Sequence, residues 1–196
     1  MFLGERRKTM KKEVAEIIPS KKIIVGNPKA KLLLTEFGDY ESEECAKANE
    51  IVKKLLKEFD GDLKFNFRHF PLIKFHQRAH KAAEAAVAAA QEGKFWEMHN
   101  LLFQNRHQLG TISLKEYAKK IELADKRFLT RMVDAYYGWT VRGDLIEGLN
   151  KGITDVPVFY INEKRFIQKP TFKNLSIEIE RAIVETEKGY AAKQKI

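Results

Sequence analysis

The chain has 196 residues, of which 44% are hydrophobic and 32% are charged, so it can bury the core of one domain and is not expected to be disordered. No apolar run approaches the roughly 18 residues that a membrane-spanning helix needs, so we expect no membrane span. The one cysteine, Cys45, leaves no partner for a disulfide within the chain. Because no secretory signal is visible at the start, this cysteine usage predicts a cytoplasmic location.

The formal net charge of +9 is concentrated at the amino-terminal end of the chain. Residues 1–31 carry +6, whereas residues 32–180 carry only +1. We predict a basic amino-terminal arm over residues 1–25, with a short helix at KKEVAEII, residues 11–18. Such an arm can contact phosphate groups. It has no aromatic residue other than Phe2 between its charges, so we do not expect nucleic-acid binding.

The first predicted elements form a βαβ unit. Residues 32–37 are a short apolar run that predicts a buried strand. Residues 41–59 follow with apolar side chains at helical spacing, and LKFNFRHFPL, residues 63–72, then alternates apolar and polar residues as a strand does. Strand, helix and strand with a short return loop predict two parallel strands.

The middle of the chain is predicted to be helical and the end to return to the sheet. Residues 77–105 are helix-forming with Gly93 as a break, Ser113 and Glu116 form a capping box that opens a further helix, and residues 125–152 predict one or two more. VPVFYIN, residues 156–162, predicts a strand, EKRF its hairpin partner, and residues 175–189 an amphipathic helix. The fold class is therefore α/β, with a βαβ–ββα core over residues 26–75 and 150–190 and an inserted all-helical domain over 76–149.

Two places in this plan can carry chemistry. The segment DYESEEC, residues 39–45, joins the first long strand to its helix. A helix start offers free N–H groups and the positive end of the helix dipole, which stabilise a thiolate or another anion. The second place is Val156-Pro157, because a proline at the first residue of a strand indicates a sheet edge, a turn or a cis bond.

Five stretches together resemble the DsbA-like branch of the thioredoxin superfamily, in particular its stand-alone members without a signal peptide. They are EFGDYESEEC, FRHFPL followed by His76, KAAEAAVAAAQEGKFWEMHNLLF, the predicted helix containing SLKEYA, and GITDVPVFYIN. They stand in the family's order over roughly residues 26–165. The resemblance implies a thioredoxin fold with an inserted helical domain. It also implies a thiol–disulfide site, in which a CxxC motif at the helix start faces a cis-proline loop that holds the substrate backbone.

The sequence departs from the family where that chemistry is expected. Ser42 stands at the position of the first, nucleophilic cysteine, and Cys45 matches the resolving one. A serine hydroxyl has no accessible anion at neutral pH without an adjacent base, whereas serine is a good helix N-cap. Glu43 and Glu44, which stand between them, also suit a helix start and are expected to raise the pKa of the Cys45 thiol.

Other site residues implied by the resemblance are present. Glu36, six residues before Ser42, matches the buried acid of the family that moves protons. On a buried strand its pKa is expected to be raised, or its carboxylate to pair with a nearby lysine. Pro157 matches the cis-proline and Val156 precedes it, so we expect these two residues to bind substrate. No third ligand accompanies His76 and His80, so we predict no metal site.

Three hypotheses for function remain, since one chain with a single cysteine cannot run a dithiol cycle. In the first, the protein has lost disulfide exchange and keeps a groove that binds a peptide or a small thiol. In the second, Cys45 acts as a monothiol with glutathione or the thiol of a partner protein. In the third, Ser42 and the Pro157 loop bind glutathione, as in kappa-class glutathione transferases and their isomerase relatives. The first two need no cofactor, and glutathione enters only as a reactant or ligand.

Overall fold

The computed structural model of the protein describes residues 17–193. The predicted short helix at residues 11–18 therefore lies, except for its last two residues, outside the described part. A 3₁₀ turn at Ser20–Lys22 leads into strand β1, Ile24–Gly26, so the last residues of the predicted arm lie in the sheet. Among the described residues, none of the helices combines the length and the apolar composition that crossing a bilayer requires.

The core is a five-stranded sheet in the order β1-β3-β2-β4-β5, where β2 is Leu32–Gly38, β3 is Leu63–His69, β4 is Val158–Ile161 and β5 is Lys164–Arg165. Strands β2 and β3 run parallel and are joined by helix α1, Glu43–Glu58. The pairs β1–β3, β2–β4 and β4–β5 are antiparallel, and helix α7, Phe172–Lys193, follows β5. The predicted α/β class and βαβ–ββα order are confirmed.

Five helices lie between β3 and β4: α2 at Ala79–Ala90, α3 at Phe95–Gln104, α4 at Thr111–Lys120, α5 at Phe128–Val133 and α6 at Gly138–Asn150. Gly93, with φ of +72°, separates α2 from α3 as the sequence predicts. The predicted capping box is wrong, because α4 begins at Thr111 with Gly110 as its N-cap and Ser113 lies inside the first turn.

The helical segment is joined to the sheet by a buried ion pair. On β3 the polar residues Asn66, Arg68 and His69 are all buried, since helices cover both faces of this strand. Arg68 Nε donates to Asp144 Oδ1 of α6 at 2.8 Å, and Asp144 Oδ2 accepts the His69 N–H at 3.1 Å. Arg68 also pairs with Glu147, at 2.5 Å between Nη2 and Oε2. Both side chains in the Arg68–Asp144 pair are more than nine-tenths buried, so the pair fixes α6 against β3.

Candidate active site

Ser42 is the N-cap of α1. Its backbone is extended, with φ of −69° and ψ of 127°, and its Oγ accepts the N–H of Cys45 at 3.2 Å. The hydroxyl therefore satisfies a donor of the first turn that otherwise has no partner within the helix. The prediction that Ser42 caps the helix is confirmed.

The Cys45 thiol is buried directly below this cap. The residue has 0% relative exposure, and its Sγ accepts the backbone N–H of Asp39 at 3.4 Å. Burial raises the pKa of the thiol well above its ordinary value, and the nearby Glu36 raises it further. The hydrogen bonds with Ser42 and the Asp39 backbone act in the opposite direction but are weaker. The thiol is consequently protonated at neutral pH.

The sequence predicted this direction for a different reason. Glu43 and Glu44 were expected to raise the pKa of Cys45, but both side chains are exposed and both pair with Lys47, at 3.0 and 2.9 Å. Their charge is screened by solvent and by this lysine. Desolvation inside the protein is the dominant cause, and sequence patterning alone gives no measure of it.

Glu36 lies in the middle of β2 and is 1% exposed. Its Oε1 has no hydrogen-bond partner, and burial raises the pKa of the carboxyl well above its ordinary value. The expected raised pKa is confirmed. The alternative, a lysine partner, is not found among the described residues. The charge of Glu36 raises the pKa of Cys45 and of Tyr40, and a buried carboxylate with an unpaired oxygen costs free energy whenever it is ionised.

Asp39 fixes the loop between β2 and α1, and the sequence analysis gave it no role. Its buried carboxylate accepts the Glu41 N–H on Oδ1 at 2.7 Å. On Oδ2 it accepts the N–H of Leu72 at 2.7 Å and lies 2.9 Å from His76 Nδ1. The loop after β3 is thereby held against the start of α1. The two histidines weighed as metal ligands contact different carboxylates, since His80 Nδ1 lies 3.1 Å from Glu84 Oε1.

Below α1 lies a buried layer of aromatic and imidazole rings. Tyr40 Oη is 3.0 Å from His99 Nδ1, and His99 Nε2 is 3.1 Å from Asn49 Oδ1. His69 packs against Tyr40 in the same layer, and neither of its ring nitrogens has a hydrogen-bond partner. Burial lowers the pKa of His69 to about 4, so its ring is neutral at pH 7. This layer supports α1 from within the core.

The sheet brings Pro157 to the same edge as Ser42. The Val156-Pro157 peptide bond is cis, as the resemblance implied, and β4 begins at the next residue. Because Phe37 pairs with Val158, the proline lies beside the end of β2, where the loop to Ser42 starts. A groove of about 350 Å³ adjoins it, lined by Pro157, Val158, Phe159, Arg165, Phe166, Ile167, Gln168 and Pro170.

The backbone of this edge is not free. The N–H of Val156, which the sequence analysis expected to pair with substrate, donates to Oδ1 of the preceding residue, Asp155, at 2.8 Å. Val156 itself is 8% exposed, whereas Asp155 is exposed. An exposed aspartate can rotate its carboxylate into water, so the donor becomes available at the cost of one hydrogen bond.

Comparison with known proteins agrees with this architecture. The model of the family described as thioredoxin matches residues 19–181. The chain belongs to the thioredoxin family. The structure of oxidised BdbD from Bacillus subtilis superimposes with a TM-score of 0.75 at 25% identity, covering 83% of this chain and 94% of that one. A thioredoxin-like oxidoreductase from Silicibacter pomeroyi DSS-3 gives a TM-score of 0.71 at 23% identity, over 82% and 91%. The fold is that of the DsbA-like thiol–disulfide oxidoreductases.

Related sequences carry a different name. The protein named Na(+)/H(+) antiporter NhaA 1 of Salinispora arenicola is 30% identical over 168 residues, which are 86% of this chain but 26% of that protein. Na(+)/H(+) antiporter NhaA 3 of Salinispora tropica is 31% identical over 147 residues, 75% of this chain and 22% of the relative. The chain thus spans about a quarter of the length of the curated relatives it matches.

Proposed function

We propose that this thioredoxin-family protein binds an extended polypeptide at the Val156-Pro157 edge without exchanging disulfides. The observation that carries the proposal is the state of positions 42 and 45. The hydroxyl of Ser42 caps its own helix, and the thiol of Cys45 is fully buried and protonated. Neither group is placed to attack a disulfide, since attack requires an accessible thiolate.

The other parts of the site are consistent with binding. The cis-proline lies at a sheet edge beside a groove, and a polypeptide can add main-chain hydrogen bonds at such an edge. Phe166 and Ile167, which line the groove, offer apolar contacts to alternate side chains of a bound segment. The solved structures that resemble this chain include one named as a thiol-disulfide exchange protein, which supports a polypeptide as the class of ligand.

The two alternatives make different demands on the site. A monothiol mechanism needs Cys45 to reach solvent, and its 0% exposure opposes this. A glutathione-binding serine needs the Ser42 hydroxyl for its ligand, and that hydroxyl already accepts the Cys45 N–H. Both alternatives remain as outcomes of the experiment below. A cytoplasmic location also remains a prediction, to be tested by cell fractionation.

The test combines thiol chemistry with binding. The native protein is incubated with oxidised glutathione and with iodoacetamide, and modification of Cys45 is followed by mass spectrometry. We expect modification only after unfolding in guanidinium chloride. Binding is measured with reduced, carboxymethylated α-lactalbumin, a permanently unfolded chain without free thiols. We expect saturable binding that a Cys45→Ala variant keeps, because no thiol takes part.

A matched pair of variants locates the binding edge. Asp155→Ala frees the Val156 N–H and is expected to tighten binding about fivefold, the value of one hydrogen bond of about 1 kcal/mol. Glu163→Ala removes an equally negative, exposed side chain at the β4–β5 turn and is expected to leave binding unchanged. A glutathione adduct on native Cys45 would instead establish the monothiol mechanism. Saturable binding of glutathione to the Cys45→Ala variant would establish the third hypothesis, in which Ser42 and the Pro157 loop bind glutathione.

A further inference from the structure

An apolar groove lies on the outer face of α6. Four of its large side chains are strongly exposed: Ile73 at 56%, Trp139 at 77%, Ile146 at 46% and Leu149 at 55%. Together with Ala135, Leu145 and their neighbours they line a groove of about 520 Å³. Single exposed apolar residues are common on protein surfaces, whereas a contiguous exposed apolar cluster marks an interaction surface.

Helix α6 is built with two apolar faces. Val141, Asp144 and Gly148 face inward, where Asp144 holds Arg68 and Gly148 packs against Phe70. The outward positions 139, 142, 146 and 149 recur at the same helical spacing, and three of them are apolar. This outer stripe spans the eleven residues 139–149, or about 15 Å at a rise of 1.5 Å per residue. Packing within the chain requires only the inner face.

The charged side chains around the groove indicate which kind of partner fits it. Its ionisable lining side chains are Arg142 and His80, and no carboxylate lines it among the residues the structure describes. The Arg142 guanidinium lies 5.5 Å from the centre of the Trp139 ring. Lys74 and Arg78 are exposed in the adjoining loop. A complementary ligand is therefore mainly apolar and carries negative charge.

We propose that this groove docks a partner polypeptide through an apolar segment about 15 Å long that is flanked by aspartate or glutamate. The concave shape favours inserted side chains over a flat lipid surface, since a peptide fills a groove and a bilayer does not. The proposal does not rest on binding at Pro157, because the two grooves are lined by different residues.

The walls of the groove are fixed before a partner arrives. Ile73 follows Leu72, whose N–H is bound by the buried Asp39 carboxylate at 2.7 Å. On the other wall, His80 Nδ1 lies 3.1 Å from the fully buried Glu84, which also pairs with Lys81 at 3.0 Å. A rigid groove loses little conformational entropy on binding, which favours affinity.

The experiment uses the full chain and a phage-displayed library of random dodecapeptides. We expect enrichment of peptides with two or three apolar residues between acidic ones. Synthetic copies of the enriched peptides are then titrated while the fluorescence of Trp139 is followed, and its emission is expected to shift to shorter wavelength. A Trp139→Phe variant identifies the signal, since the other tryptophan, Trp96, is partly buried and packs against Phe95 away from the groove.

Matched variants decide whether the groove is the site. Ile146→Asp is expected to weaken binding at least about tenfold, as loss of a central apolar contact does. Ile112→Asp replaces an isoleucine that is 81% exposed on α4 and is expected to change affinity less than about twofold. Arg142→Glu is expected to weaken the binding of acidic peptides. It is expected to strengthen the binding of copies in which lysine replaces the acidic residues.

Three outcomes overturn the proposal. The first is the absence of enriched peptides that discriminate the protein from Ile146→Asp. The second is loss of binding on Ile167→Asp but not on Ile146→Asp, which would move the site to the Pro157 edge. The third is that the protein floats with phosphatidylserine vesicles, that Ile146→Asp abolishes this flotation, and that no peptide binds. The occupant would then be a lipid surface.

Discussion

Replacing Ser42 with cysteine should give this protein a working dithiol. The Ser42→Cys side chain would stand three residues before Cys45 at the start of α1, the CxxC arrangement that the resemblance to DsbA-like proteins implies. Pro157 at the adjacent sheet edge and the buried Glu36 are already in place. We therefore expect the variant to form a disulfide with Cys45 and to exchange it with glutathione, while the wild type does neither.

The stability of the variant follows from two opposing effects. The hydroxyl cap on the Cys45 N–H is lost, which costs about 1 kcal/mol. A disulfide closing a loop of four residues returns about 2 kcal/mol by restricting the unfolded chain. The oxidised variant should therefore be about 1 kcal/mol more stable than the wild type, and the reduced variant about 1 kcal/mol less stable.

The assay is urea unfolding of both redox forms, with the disulfide confirmed by a mass loss of two hydrogens. Exchange is followed by the reduction of insulin in the presence of glutathione. Ser42→Ala is the control, because it removes the cap without supplying a thiol and should match the reduced variant in stability. The reasoning fails if the oxidised form is the less stable one, or if wild-type protein reduces insulin as fast as the variant.

Four further substitutions, of which Glu147→Gln is the control for Asp144→Ala, test the buried charges. Glu36→Gln should raise the free energy of unfolding at pH 8. Because the pKa of the buried Glu36 carboxyl is raised, the wild type loses stability as the pH rises above 4.5, and the variant should lose less over the same range. Unfolding measured at several pH values checks this. The wild type should lose about 3 kcal/mol of unfolding free energy as the pH falls from 6.5 to 4, because the buried His69 binds its proton less readily than the unfolded chain does. His69→Phe should remove this loss, measured by the same series. Asp144→Ala should cost about 3–5 kcal/mol, because it removes the buried partner of Arg68 and leaves only the more exposed Glu147. Glu147→Gln should cost under about 1 kcal/mol in thermal unfolding, because the Glu147 side chain is 41% exposed.

Local pattern was sufficient to predict most of the fold. The apolar run at residues 32–37 is a buried strand in the structure. The apolar stripe of α1 is the buried inner face of that helix, because burial of one face requires apolar residues at helical spacing. The capping box at Ser113 was wrong because its two residues fit the pattern one turn too late, after Gly110 had already started the helix. Strand β1 was missed because a three-residue edge strand has no period to detect.

The site was predicted less completely, because its energetics depend on partners distant in sequence. The role of Ser42 is local, between residues three apart, and the sequence predicted it. Asp39 holds residues 72 and 76 on another loop, a contact that single-sequence patterning does not contain. An aspartate directly after a buried strand was the available signal. The unpaired ring of His69 likewise results from helices packing on β3.

The arrangement at positions 36, 42 and 45 explains how the fold keeps its stability without the first thiol. Ser42 supplies a stronger cap than a thiol does, and Cys45 packs as a small apolar side chain, so neither position needs redox chemistry to be stable. Glu36 differs, because a buried carboxyl with an unpaired oxygen lowers stability wherever it is charged. Structure alone gives no reason for an acid there rather than glutamine or leucine. Of the three positions, Glu36 is therefore the one whose residue type stability does not explain, and it pairs with Phe159, two residues after Pro157.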